Sequence, residues 1–325
     1  MTIVAITGAD GFLGYAISTE LQLRGVAVRE LTRSRSSANS GVMAIGSIGN
    51  DTDWSTALSG VTCIIHCAAR AHILRETESD PLLAYRTVNV QGTERLAEQA
   101  AAKGVRRLIF LSSIGVLGVH TDGRAPFSVF DSPAPSEPYG ISKWEAEQSL
   151  WRISCHSGIE VVVVRPPLVY GPGVRANFLR LLKLVELGLP LPFGCLENLR
   201  SFVALDNLVD LLITCIDHPA AAGQTFLVSD GQDLSTPDLI RLIAKAKGRK
   251  VQLVSISPTF LRILAKISGY LPEMDRLISS LQVDIRHTCE TLRWVPLLSV
   301  EEGLRRAVLT QNSGSHVKKG YETSF

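Results

Sequence analysis

The chain has 325 residues, of which 46% are hydrophobic and 20% are charged, and its formal net charge at pH 7 is +2. This length can bury a large core in one large domain or two closely joined ones, and the near-neutral charge gives no indication of a nucleic-acid partner. The sequence has no apolar run of the roughly 18 residues that a membrane span needs, and its first strand begins too early to leave room for a signal peptide, which predicts a cytoplasmic protein.

Metal-ligand spacing is missing from the sequence. The six cysteines and seven histidines do not recur at the intervals typical of zinc sites. Cys63 and Cys67 stand in an apolar run, and the other four cysteines are scattered. We therefore expect buried, reduced thiols and predict no metal site.

The first predicted element is an apolar strand at residues 3–6, which runs directly into a glycine-rich turn. Gly8 permits a tight turn, Gly11 lets the backbone approach a pyrophosphate, and Gly14 lets the following helix pack closely on the strand. The N–H groups at the start of that helix can then bind phosphate oxygens. The candidate cofactor-binding residues of this turn are Gly8, Gly11, Phe12, Leu13 and Gly14.

Short β-rich runs alternate with longer helical patterns through the first half of the chain. The further strand candidates are residues 26–31, 61–67, 108–111 and 161–164. Helical patterns lie between them, for example at residues 88–102 and 143–157. This alternation is typical of an α/β fold with a doubly wound parallel (Rossmann) sheet, in which ligands bind beyond the carboxyl ends of the strands.

The second half of the chain is less regular. An amphipathic run at residues 178–187 and a Pro/Gly loop at residues 189–194 precede a helix start at Ser235, whose hydroxyl suits an N-cap. The apolar segment 260–271 contains Arg262 and Lys266, and its pattern favours a helix that covers the C-terminal part of the protein over a helix that lies on a membrane surface.

Tyr139 and Lys143 stand four residues apart in a helical pattern, so both side chains face the same side. A tyrosine with its ordinary pKa of about 10 is a poor base at pH 7. A neighbouring ammonium and an oxidised nicotinamide both favour the phenolate, and we expect them to lower the pKa of Tyr139. The strand at 108–111 ends in Ser112 and Ser113, whose hydroxyls lie at the carboxyl edge of the sheet.

The glycine spacing, the Tyr139-x-x-x-Lys143 pair and the distance between them resemble the extended short-chain dehydrogenase/reductase family. Its members include nucleotide-sugar 4-epimerases, 4-keto reductases and 4,6-dehydratases, and the resemblance extends to about residue 311. It implies that Ser113 and Tyr139 bind the reacting oxygen of a sugar and that Lys143 also binds the nicotinamide ribose. Ser113, Tyr139 and Lys143 are therefore the candidate catalytic residues.

The resemblance also implies a domain organisation. A Rossmann domain would comprise residues 1–173 and about 199–228, and a nucleotide-sugar lobe would comprise about 174–198 and 229–311. Residues 312–325 are polar and aperiodic, and we expect them to form a disordered tail. The family resemblance is compatible with a homodimer.

Further residues match the family one position at a time. Ala68 and Ala69 resemble the small residues at the strand end beside the cofactor ribose, and Pro166 lies in a run resembling the loop that closes over the nicotinamide. Asn177 and Arg200 resemble the family's ligands for the diphosphate of a UDP-hexose, and the planar fork of arginine suits a pair of phosphate oxygens.

The end of the second strand departs from the NAD-specific pattern. NAD-specific proteins carry an acid there that binds the ribose 2′-hydroxyl. In this chain the position is Thr32, followed by Arg33, and Glu30 lies two residues early. Because Arg33 can pair with a 2′-phosphate, we expect NADP in preference to NAD.

The residues after the catalytic serine separate the reaction types. A 4,6-dehydratase needs a further acid and base, and in the family an Asp-Glu pair supplies them where this chain has Ile114 and Gly115. Two reactions remain, reduction of a 4-keto sugar by exchangeable NAD(P)H and 4-epimerisation with recycled NAD. Arg33 and the stretch 198–203 favour reduction of a UDP-linked 4-keto-6-deoxy sugar for surface polysaccharide synthesis.

A remote alternative belongs to another class of protein. A non-catalytic, NADP-sensing regulator can be built on the same fold, but such proteins usually lose the active-site tyrosine. The presence of Tyr139 with Lys143 therefore argues for an enzyme.

Overall fold

The computed structural model describes residues 2–34, 41–71, 78–174 and 176–313. Within these ranges, a parallel sheet contains β1 (Ile3–Thr7), β2 (Ala27–Thr32), β3 (Val42–Ala44), β4 (Cys63–His66), β5 (Arg107–Leu111), β6 (Glu160–Arg165) and β9 (Gln224–Leu227). Two short strands, β7 (Leu168–Tyr170) and β8 (Phe202–Ala204), pair in a separate parallel ribbon. The sheet order is β3-β2-β1-β4-β5-β6-β9, so the strand order reverses between β1 and β4. Ligands of doubly wound sheets bind at this reversal.

Helices connect the strands and build most of the C-terminal lobe. Those around the sheet are α1 (Phe12–Leu23), α2 (Pro81–Arg86), α3 (Gly92–Ala102), α4 (Pro138–Ser157) and α6 (Leu205–Asp217). The others are α5 (Ala176–Glu186), α7 (Thr236–Ala246), α8 (Pro258–Ser268), α9 (Leu271–Ile278), α10 (Arg286–Leu292) and α11 (Val300–Ser313). A π-helical turn, Thr87–Gln91, joins α2 to α3.

Both faces of the sheet are covered by apolar side chains. Ile17 of α1 and Leu208 of α6 pack in the cluster on one face, and Leu96 of α3 and Leu150 of α4 pack in the cluster on the other. A parallel sheet buried on both faces requires the nearly continuous apolar runs that the strands have. The predicted α/β fold with a doubly wound sheet is confirmed.

A separate apolar cluster holds the C-terminal lobe together. Phe178 and Leu182 of α5 pack with Ile240 of α7 and Leu304 of α11. Ser235 caps α7 as predicted, because its hydroxyl accepts a hydrogen bond from a backbone N–H in the first turn. In the described part of the chain, no helix combines the length and the apolar character that crossing a bilayer requires.

The proposed domain boundaries stay a prediction. The strands of the large sheet all fall within the two segments assigned to the Rossmann domain. α11 extends to Ser313, two residues into the predicted tail, and residues 314–325 lie outside the described part of the chain.

A buried ion pair fixes α4 to the sheet. Arg165, at the end of β6, donates two hydrogen bonds to the Glu147 carboxylate of α4, at 3.0 and 2.5 Å. The side chains of Arg165 and Glu147 are only 5% and 0% exposed. Ser112, which follows β5, also donates to Glu147, at 2.5 Å. Three chain segments therefore meet at one carboxylate whose acceptor sites are largely satisfied.

The six cysteines are all free thiols, but their exposure differs. Cys63 and Cys215 are buried, and burial raises the pKa of each to about 12. Cys155, near the end of α4, and Cys195 of the C-terminal lobe are exposed. The expectation that the thiols are buried is wrong for Cys155 and Cys195, which lie at a helix end and in a loop. Their reduced state stays a prediction.

We expect Arg165→Met to lower the free energy of unfolding by about 3–5 kcal/mol, because it leaves the Glu147 carboxylate buried and unpaired. Urea denaturation followed by circular dichroism measures this change. The matched control is Arg241→Met, which removes an exposed pair with Asp238 and should cost less than about 1 kcal/mol. Equal losses in the two variants would contradict the structural role of the buried pair.

Candidate active site

The glycine turn after β1 lies against the start of α1. Gly8 has a φ of +67°, and its N–H donates to Leu31 O of β2 at 2.9 Å. A Cβ on Gly14 would lie 2.1 Å from Gly8 O, so the close contact of helix and strand requires glycine there. Gly11 precedes α1 and has no side chain to cap it. The N–H groups of Phe12 and Leu13 therefore belong to a helix start suited to a diphosphate.

Ala68 forms the opposite side of this turn. A Cβ on Gly8 would lie 3.0 Å from the backbone of Ala68, and the N–H of Ala68 donates to Thr7 Oγ1 at 3.1 Å. The buried His66 ring lies between Thr7 and Thr93, at 2.7 and 3.0 Å from their hydroxyls. Burial is the main cause that lowers the pKa of His66 to about 3, and the positive charge of Lys143 lowers it by a smaller amount. A neutral His66 thus joins β1, β4 and α3 beneath the candidate cofactor site. Ala69, the residue after Ala68, is half-buried.

Lys143 is buried at the carboxyl edge of the sheet. Its Nζ donates to Leu111 O at 2.8 Å and lies 4.4 Å from the ring centroid of Phe110 and 5.9 Å from that of Tyr139. Burial lowers the pKa of Lys143 to about 8, and the nearby Cys67 and Glu147 oppose this shift. At pH 7 the ammonium form is therefore still favoured.

The pKa of Tyr139 differs from the prediction. Burial raises it well above the usual value, and the neighbouring Tyr85, whose ring centroid is 6.0 Å away, raises it further. The expectation that Lys143 lowers the pKa of Tyr139 is wrong for the chain alone, because the ammonium is hydrogen-bonded to Leu111 O and the phenol is desolvated. The raised pKa keeps the phenol of Tyr139 protonated at neutral pH in the chain alone.

Ser113 and Pro166 meet at the same edge. Ser113 is the second residue after β5 and is half-buried. Its Oγ accepts a hydrogen bond from the N–H of Gly115 at 3.1 Å. Pro166 follows β6, and its carbonyl accepts from Ile114 N–H at 3.0 Å. The structure thereby joins the predicted serine segment to the predicted nicotinamide loop.

Asn89 links the segment after β4 to α4. It stands in the π-helical turn Thr87–Gln91 and is buried. Its side chain accepts from Arg70 N–H at 2.8 Å and donates to Arg70 O at 3.1 Å. It also donates to Ser142 Oγ at 3.0 Å, and Ser142 in turn donates to Tyr139 O at 2.8 Å.

Arg200 lies in the C-terminal lobe, close to a second arginine, Arg276. It is half-buried, and its guanidinium donates to Ser279 O at 2.8 Å. Burial is the main cause that lowers the pKa of Arg200 to about 10, and the positive charge of Arg276 adds to it. Asn177 lies in α5, and its side chain lies outside the described residues.

The end of β2 carries no carboxylate directed at the turn. Thr32 is buried, and its hydroxyl donates to Ser34 O at 3.0 Å. Arg33 is exposed. The Glu30 carboxylate accepts hydrogen bonds from Ser18 and Gln22 of α1 instead.

The sequence profile of the NAD dependent epimerase/dehydratase family matches residues 4–229. The chain belongs to this family. A relative from Vibrio cholerae, a UDP-glucose 4-epimerase, is 44% identical over 306 residues, which is 93% of each chain.

Two solved structures of epimerases share the fold of this chain. The UDP-glucuronic acid 4-epimerase from Bacillus cereus in complex with NAD has a TM-score of 0.77 and 20% identity, covering 96% of this chain and 99% of that one. The UDP-glucose 4-epimerase from Thermotoga maritima with UDP-glucose has a TM-score of 0.75 and 21% identity, covering 96% and 99%. Family membership confirms the predicted resemblance and an NAD-dependent enzyme. The preference for NADP gains no support.

Two residues in the neighbourhood of the site were missed by sequence reasoning. Glu147 stands four residues after Lys143 on α4, so the helical spacing that paired Tyr139 with Lys143 could also have indicated it. Arg276 of α9 approaches Arg200 only through folding, and nothing in the local sequence around it indicates this.

We expect Tyr139→Phe to reduce turnover by roughly 10²–10⁴-fold, because Phe cannot exchange a proton with the substrate. Steady-state kinetics measures this, and calorimetry should show little change in cofactor affinity. Tyr270→Phe removes an exposed hydroxyl of the C-terminal lobe and should leave turnover unchanged. Activity of Tyr139→Phe within a few-fold of the unmodified enzyme would assign the proton to another group.

Proposed function

We propose that this chain is an NAD-dependent 4-epimerase of UDP-hexoses. The observation that carries the proposal is the 44% identity to the Vibrio cholerae UDP-glucose 4-epimerase, which spans 93% of both chains. The geometry supports it, because Tyr139, Lys143 and Ser113 lie at the carboxyl edge of the sheet beside the glycine turn. This relationship favours epimerisation over the 4-keto reduction that Arg33 suggested.

The residues present fit a bound dinucleotide. The Gly8–Gly14 turn lies at the reversal of the strand order, and adding a Cβ at either glycine would bring it into contact with backbone atoms. Phe12, Leu13, Ala68 and Ala69 would hold the diphosphate and ribose side, and Lys143 and Pro166 the nicotinamide side. When bound, NAD supplies a hydride acceptor and a positive charge next to Tyr139.

The chain's own groups would move the proton. Ser113 would bind the oxygen on C4 of the sugar, and Tyr139 would take the proton of that hydroxyl and later return it. Without the cofactor, the raised pKa of Tyr139 keeps its phenol protonated at neutral pH. Its action as a general base would therefore depend on the positive charge that the cofactor adds. The Lys143 ammonium, hydrogen-bonded to Leu111 O, adds a second positive charge 5.9 Å from the centroid of the Tyr139 ring.

Epimerisation requires the same enzyme to oxidise and then reduce C4, with the 4-keto sugar turned between the two steps. Arg200 and Arg276 would hold the nucleotide diphosphate during this turn, because their charges and planar forks suit phosphate oxygens. Asn177 is proposed as a third ligand. The homodimer stays a prediction.

We expect the purified protein to interconvert UDP-glucose and UDP-galactose without added nucleotide, and to release NAD when it is denatured. Product analysis by anion-exchange chromatography and absorbance of the released cofactor measure the two results. Turnover that requires added NADPH and a UDP-4-keto-6-deoxy-hexose would establish the reductase instead. In that case Arg33→Ala should lower the affinity for NADPH about tenfold or more, whereas the epimerase should bind NAD equally well with or without Arg33.

We expect Arg200→Ala to weaken UDP binding by at least about tenfold, because a charge-assisted hydrogen bond contributes roughly 1.5–3 kcal/mol. NAD affinity should change little. Calorimetric titrations with UDP and NAD test both statements, and Arg180→Ala, an exposed arginine of the same lobe, is the control. Unchanged UDP affinity in Arg200→Ala would remove Arg200 from the diphosphate site.

A further inference from the structure

Helix α8 has two apolar faces, and the protein covers only one of them. Leu261 and Ala265 are buried against the C-terminal lobe. Four other apolar side chains of the helix are between 53% and 80% exposed: Phe260, Ile263, Leu264 and Ile267. Their spacing of three, four and seven residues places them in one stripe along the helix. The sequence-based expectation of a helix that covers the lobe is therefore correct for one face and leaves the other unexplained.

The exposed stripe continues beyond the helix. Gly269 ends α8 in a left-handed conformation, and the Tyr270 that follows it is 62% exposed. Single exposed apolar residues are ordinary on protein surfaces, but a contiguous group of large ones marks an interaction site.

The stretch of sequence that contains the stripe is rich in cationic residues. Residues 239–272 contain seven lysines and arginines and no aspartate or glutamate. Because the whole chain has a formal charge of +2, the remaining residues together carry −5. The segment that contains α8 is thus a cationic region in a protein that is otherwise acidic.

Some of these cations have partners from other elements. Arg241, Lys245, Lys247 and Arg262 pair with Asp238, Glu301, Glu186 and Asp275. Arg249, Lys250 and Lys266 are exposed, and no described carboxylate lies within ion-pair distance of them. Lys266 stands on α8 itself, next to the stripe, as expected of a helix that lies in a membrane interface.

We propose that the exposed face of α8 docks on a lipid bilayer surface rich in anionic headgroups. The apolar stripe would insert at the boundary between headgroups and acyl chains, and Lys266 beside it would contact the headgroups. A second copy of the chain fits this face less well. A two-fold contact brings the same patch of both copies together, so the Lys266 ammonium groups of both copies would share one apolar interface without a carboxylate from α8.

Vesicle flotation with the full chain tests the proposal. Vesicles of phosphatidylcholine alone are compared with vesicles of equimolar phosphatidylcholine and phosphatidylglycerol. We expect binding to the anionic vesicles that weakens as the salt concentration rises. Failure to bind the anionic vesicles at low salt, or equal binding to both compositions, overturns the proposal.

Two variants separate the contributions. Ile263→Glu/Ile267→Glu should weaken binding to anionic vesicles by at least about tenfold, since it removes two inserted side chains and adds negative charge. Lys266→Glu should weaken it less and reduce its salt dependence. The matched control Leu23→Glu/Val295→Glu changes two exposed apolar residues elsewhere and should bind as the unmodified chain does.

Thermal unfolding and light scattering complete the test. Both double variants should unfold within a few degrees of the unmodified chain, because all four side chains are more than half exposed. If Ile263→Glu/Ile267→Glu instead halves the molar mass of the protein in solution, the face is covered by a second copy and the proposal is wrong. Neither result depends on the sugar that the enzyme accepts.

Discussion

The position of α4, the helix that carries Tyr139 and Lys143, depends on one buried carboxylate. Glu147 receives hydrogen bonds from Arg165 at the end of β6 and from Ser112 beyond β5, so two neighbouring strands are tied to the same point on α4. One helical turn earlier, Lys143 donates to Leu111 O at the end of β5. These bonds fix the rotation of α4 about its axis, and this rotation sets the position of Tyr139. An ion pair this deeply buried is costly to form, and its value lies in the geometry that it imposes.

Close backbone contact at the start of α4 adds to that constraint. A Cβ on Gly140 would lie 2.6 Å from Gly115 O, so the helix can approach the serine segment only because this residue is glycine. Asn89 holds the opposite side through Ser142 and the backbone of Tyr139. The tyrosine therefore sits between three independently anchored segments, and its desolvation, which raises its pKa, is a direct result of this packing.

The sequence predicts those parts of the structure whose determinants are local. Gly8 and Gly14 belong to one short turn, and Tyr139 and Lys143 are separated by a single helical turn. Each pair can therefore be recognised from its spacing in the sequence. The approach of Arg276 to Arg200 joins residues far apart in the sequence and depends on tertiary structure. The raised pKa of Tyr139 in the chain alone also depends on tertiary structure, since burial is its main cause and burial is a property of the whole fold.

The two exposed thiols give the enzyme a built-in pair of labelling positions. Maleimides react with thiolates, and burial keeps Cys63 and Cys215 protonated, while Cys155 and Cys195 face solvent. Cys155 lies on α4, which packs on the sheet, and Cys195 lies in the loop before β8 on the C-terminal lobe. Fluorophores attached at these two natural positions would report the separation of the lobes during a catalytic cycle without any engineered cysteine.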